Sequence, residues 1–157
     1  MQNRDASPDQ ADIELSQVDR QRSLDALHLL ETSAGDASPG REQDWATGVR
    51  AAVAELDTAL TLQAHNAAPD ASLLSAVERD EPRLRHRVQE LRQRYQAIHR
   101  GVTTLRQQLD AITNLDHIDV ADLRQQLQQL ANELRYQRAR ETDLVYEAYA
   151  VDLGGGD

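Results

Sequence analysis

The sequence has no cysteine, no phenylalanine and no lysine, and among its 157 residues there are only one tryptophan, one methionine and four tyrosines. Without cysteine there can be no disulfide, no thiolate metal site and no cysteine nucleophile. A chain that is 39% hydrophobic yet so poor in aromatics must build its core from Leu, Ala, Val and Ile, a palette that suits helices better than sheets. No stretch approaches the roughly 18 consecutive apolar residues that span a bilayer. The opening "MQNRDASPDQADIE" lacks the apolar core of a secretory signal, so a soluble cytoplasmic protein is the expectation. All 17 basic residues are arginine, which reads as coding bias, although arginine also favours forked pairing with carboxylates. A formal charge of -10 argues against non-specific attraction to nucleic acid or to an anionic membrane. The only glycine run, at 154–156, precedes no helix and makes no phosphate loop. A serine nucleophile elbow, a zinc-protease His-Glu pair and an EF-hand spacing are also missing.

What remains is helical periodicity. Residues 1–10 read as a disordered polar tail, 11–151 as one four-helix domain, and 152–157 as a flexible glycine-rich end. The first helix, "DIELSQVDRQRSLDALHLLET" (12–32), has the weakest stripe, with Leu24, Leu27 and Leu30 as its firmest apolar positions. "SAGDASPGR" is a loop by composition. The second helix, from about 42 to 67, aligns Trp45, Val49, Val53, Leu56 and Leu60, with Trp45 as the anchor at its start. Pro69 interrupts it, "ASLLSAVERDEP" gives a short helical piece, and Pro82 suits the first turn of the next helix, with Asp80 or Glu81 as its cap. That helix alternates steps of four and three through Leu84, Val88, Leu91, Tyr95, Ile98, Val102, Leu105, Leu109 and Ile112. After "TNLDHID", Asp119 caps a last helix over about 120–149. Four long seams of this period with short connections predict an all-α, up-down-up-down four-helix bundle, with an extended coiled coil as the structural rival.

One segment breaks the pattern. Leu123, Leu127, Leu130 and Leu134 step along one face, but the next steps land on Gln137 and Glu141 before the stripe resumes at Leu144 and Ala148. On the preceding long helix, Tyr95 interrupts the aliphatic seam, with His99 one turn later. Adjacent antiparallel helices would bring these groups to one depth, giving a polar layer of Tyr95, Tyr136 and Gln137 around Glu141. A buried carboxylate needs a cation, hydrogen bonds or a proton. Arg138 and Arg140 are expected to point away from it, so a partner from another helix is required: His99, Arg94 or a metal. The structural alternative is a network in which Tyr95, Gln137, His99 and Glu141 satisfy one another and fix helix register. In that network, Glu141→Leu is expected to leave helicity intact and even to raise the melting temperature.

The segments "EPRLRHRVQELRQRYQAIHRGVTTL" and "LANELRYQRARETDLVYEAYAVDLGGG" resemble the hemerythrin-like cation-binding domains, the second being similar to the terminal helix of actinobacterial members. The likeness covers about residues 20–153. It implies a four-helix bundle around a non-haem di-iron centre, with His28 as the first-helix ligand, His65 on the second, His99 on the third and Glu141 on the fourth. The sequence departs from the family pattern at Tyr95, at Tyr136 and at Pro69, where Asp70 follows one place late. Outside that set, His86 reads as solvated among arginines, and His117 as a loop residue. The expected function is a hemerythrin-like bundle with an incomplete ligand set, acting as a non-catalytic scaffold or interaction protein, with a protein partner or a second copy of the chain. The alternative is a non-haem iron or manganese protein that senses or detoxifies oxygen species through the metal's own chemistry.

Overall fold

A long seam of leucines and valines is stable only when another seam covers it, and the computed structural model of the chain shows how these seams meet. It describes the backbone of residues 10–35, 40–66, 73–112 and 119–154, and the side chains of 18–35, 40–64, 73–112 and 119–150. The helices among these residues are α1 (Gln10–Gly35), α2 (Glu42–Asn66), α3 (Leu73–Asp80), α4 (Arg85–Ala111) and α5 (Val120–Gly154), with a 3-10 turn over Pro82–Leu84 leading into α4. There is no strand among the described residues, so the class is all-α. No described helix is long and apolar enough to cross a membrane.

Local chemistry accounts for the helix boundaries. Gly40 takes φ +83, a left-handed conformation open to glycine, and its N–H donates to Glu42 Oε1 at 3.1 Å, turning the chain into α2. Asp119 caps α5 as expected: its Oδ1 accepts the Asp122 N–H at 3.1 Å, and its carbonyl accepts that of Leu123 at 3.0 Å. The turn at Pro82 has Glu81 in the cap position without a side-chain cap bond. Asp80 instead accepts the Tyr149 hydroxyl at 3.1 Å, and burial together with this carboxylate pushes the Tyr149 pKa up to about 12.

Each long helix packs on two others, α1 on α2 and α5, and α4 on α2 and α5. The pairs run antiparallel. Arg50, early in α2, donates to the carbonyls of Leu109 and Ile112 at the end of α4, whereas Thr61, late in α2, meets His99 further back along α4. On the other side, Glu31 of α1 takes both arms of Arg135 of α5, while Arg20 reaches Thr142. Trp45 is buried and its indole N–H reaches the Ala34 carbonyl at 3.3 Å, tying the start of α2 to the end of α1. The α2 and α4 seams are buried as the periodicity predicts, with Tyr95 and Ile112 partly so. In α1, Leu27 and Leu30 are buried but Leu24 is exposed; Ser23 and Ala26 take the inward positions instead.

The apolar core is in two parts. The larger cluster is built from α1, α2, α4 and α5, and ends at Ile98 and Leu134. The smaller joins α3 to Leu84, Val88, Leu91, Leu144 and Ala148. Tyr95 packs against both. Between Leu134 and Leu144 on α5, and between Leu91 and Ile98 on α4, the sequence places its polar residues.

Candidate functional site

Gln137, Arg138 and Glu141 are 3%, 6% and 6% exposed, so the interruption in the α5 seam lies inside the protein. The Tyr95 hydroxyl donates to Glu141 Oε2 at 2.5 Å, a short bond of the kind a carboxylate acceptor favours. The same oxygen is 3.5 Å from Arg138 Nη1. Arg138 Nη2 donates to Ser23 Oγ of α1 and, at 2.6 Å, to Gln63 Oε1 of α2. Its guanidinium also lies over the Tyr95 ring, 5.3 Å from the centroid. One arginine thus gathers groups from α1, α2, α4 and its own helix. Arg20 and Thr142 extend the connection, Thr142 donating back to the Arg138 carbonyl at 3.1 Å.

This arrangement corrects the sequence reading of the cation. Arg138 does not point away from Glu141: residues three apart on a helix are surface neighbours, and a long side chain lays its stem along the core to bring its head inward. Glu141 therefore has its cation on its own helix and a neutral donor, Tyr95, on another. Arg94, offered as a partner, is exposed. Tyr136 is 61% exposed, one helical step away from Gln137 and outside the layer, with the Arg140 guanidinium 5.8 Å from its ring.

His99 belongs to a different cluster. Its Nε2 lies 3.0 Å from Thr61 Oγ1 and 3.4 Å from Asp57 Oδ1, between α2 and α4. Asp57 is buried, accepts the Thr103 hydroxyl at 2.6 Å and pairs with Arg106 at 2.9 Å. Burial alone would raise the Asp57 pKa; the Thr103 bond and the Arg106 charge outweigh it and hold the carboxyl below its ordinary value. Sequence periodicity gave no sign of this second cluster, because Asp57 sits beside Leu56 at the edge of the α2 seam.

Of the four ligands implied by the family resemblance, the three whose side chains are described do not come together. His28 is exposed on α1, His99 faces Asp57, and Glu141 faces Tyr95 and Arg138. The His65 side chain, Pro69, Asp70 and His117 lie outside the described residues. His86 is exposed. Among the described residues, no three His, Asp or Glu side chains come together in a way that would hold a metal ion. A guanidinium beside the Glu141 carboxylate also competes with any cation there, so the described side chains of this set do not form a di-iron centre.

What the layer can do is hold charge in place. Burial, and then the neighbouring carboxylate, push the Tyr95 pKa far above that of an ordinary phenol, so its proton stays on as a hydrogen-bond donor. Arg138 Nε and Gln137 Oε1 are buried without a hydrogen-bond partner among the described residues. Each such atom costs on the order of 1–3 kcal/mol, which the surrounding bonds must offset. No family model, curated protein or solved structure matches this chain.

Proposed function

We propose that the chain is a non-catalytic helical scaffold, an up-down-up-down four-helix bundle of hemerythrin-like layout in which an ion-pair layer stands in place of a metal centre. The packing of α1 on α2 and α5, and of α4 on the same two helices, supports the bundle, as do the antiparallel bonds between neighbours. The observation that carries the functional reading is that the Glu141 carboxylate, the best candidate ligand in the core, is already met by Arg138 and Tyr95. A carboxylate so satisfied fixes register between helices and leaves little for a metal to gain.

The direct test is metal content after expression in iron- and manganese-supplemented medium, with absorption spectra recorded in air and after reduction. The scaffold reading expects substoichiometric metal and no band above the aromatic absorption. Stoichiometric iron with an oxo-bridge or tyrosinate band, lost in Glu141→Ala or His99→Ala, would overturn it in favour of oxygen-species sensing or detoxification at a metal.

A further inference from the structure

Three of the five large hydrophobic residues exposed among the described side chains lie on α1: Val18, Leu24 and Leu29. Two of these, Val18 at 55% exposed and Leu29 at 43%, line an open groove of about 870 Å³ between α1 and α2. Arg22 and Asp25 lie between them on the same wall. The four residues 18, 22, 25 and 29 step by four, three and four, so they form a single helical face. The floor and far wall include Ala26, Ala54 and Ala59, small side chains that let another helix come close, with Glu55 at the rim.

The order of chemistry along that face is apolar, basic, acidic, apolar. Reversed and laid against itself, it matches: Val18 comes opposite Leu29, and Arg22 opposite Asp25, in each case at positions summing to 47. We propose that this face is the contact between two copies of the chain, α1 packing antiparallel on the α1 of the second copy about a two-fold axis near residues 23 and 24. A contact of this kind must be self-complementary, and the face has that property. Arg22 of one copy meets Asp25 of the other, with Glu55 beside it on the groove rim. A basic helix from an unlike partner would satisfy Asp25 and Glu55 but oppose Arg22. A second copy instead pairs Arg22 with Asp25 twice, once on each side of the axis. The face from 18 to 29 is about 17 Å long, so it is a small contact that associates at roughly 10 µM to 1 mM. Long-range repulsion between two chains of charge -10 is screened at about 0.15 M salt.

This inference deepens the scaffold reading by naming a partner, and sedimentation equilibrium of the full chain tests it. The mass should rise from one chain to two across that concentration range. Leu29→Glu should weaken association by about tenfold or more with unchanged far-ultraviolet circular dichroism. Arg22→Asp should also weaken it, and Arg22→Asp with Asp25→Arg should restore it, because the swapped pair still matches across the axis. A chain that stays monomeric at about 1 mM would overturn the proposal and leave the groove to an unlike helix. So would a dimer indifferent to Leu29→Glu, or a charge swap that fails to restore association at unchanged helicity. Stoichiometric iron, by contrast, counts against the scaffold and not against the dimer, so the two failures can be told apart.

Discussion

Glu141 is tolerated in the core because two donors of different character share it: a phenol held protonated by burial, and a guanidinium from the preceding turn. Tyr95→Phe removes only the first, and should lower stability by about 1.5–3 kcal/mol in urea unfolding, the range for a hydrogen bond to a charged group. Asp57 makes a pH prediction. Its folded pKa lies below the ordinary aspartate value of 3.8, so its bonds stabilise the protein above that value and are lost as pH falls through it toward the folded pKa. Asp57→Asn should therefore be less stable than the parent near neutrality, and the two should converge in thermal melts taken stepwise into acid. Periodicity showed at this scale that polar side chains enter the core at 137 and 141, but not which cation meets them. Seam counting treats Arg138 as off the stripe, whereas a long flexible stem lets its head turn inward. The available clue was the three-residue spacing between Arg138 and Glu141.

The helices were legible where their faces are uniform. The α4 seam is the plainest case, since every step from Leu84 to Leu109 except Tyr95 is fully buried. In α1 the leucines misled: the helix turns Ser23 inward to receive Arg138, and Leu24 rotates outward. Two helix ends are completed by neighbours, which no local reading detects. Neither α1 nor α4 carries a basic residue in its last turn. Arg124 of α5 donates to the Ala34 carbonyl at 3.0 Å, and Arg50 of α2 to Leu109 and Ile112 at the end of α4, placing cations at the negative ends of both helix dipoles. Two glycines within helices give a matched prediction. A Cβ at Gly48 meets nothing within 4 Å, so Gly48→Ala should raise stability by about 0.5–1 kcal/mol. At Gly101 the added carbon would lie 3.2 Å from Leu130 Cδ2, and α5 packs closely there. Gly101→Ala should consequently gain less, and thermal melts of the two variants side by side would show it.

Across the whole molecule, one polar layer divides two apolar clusters and links four helices through a single guanidinium. Buried ion pairs of this kind often add little net stability, yet removing one partner leaves the other buried and uncompensated. That asymmetry revises the sequence expectation for Glu141→Leu, because the change would strand Arg138. It also separates a self-sufficient layer from a vacated metal site, where the carboxylate would be the group in need and the arginine incidental. The deciding measurement is a double-mutant cycle in urea on metal-free protein, comparing Arg138→Met, Glu141→Leu and the two together. Each single change is expected to cost about 3–5 kcal/mol, and the double variant to lose clearly less than the sum of the two, keeping only the cost of leaving the Tyr95 hydroxyl, Ser23 and Gln63 without these partners. If Arg138→Met is as stable as the parent, or the double variant loses the sum of the two single changes, Arg138 and Glu141 are not a pair and the ion-pair layer is not what holds this core together.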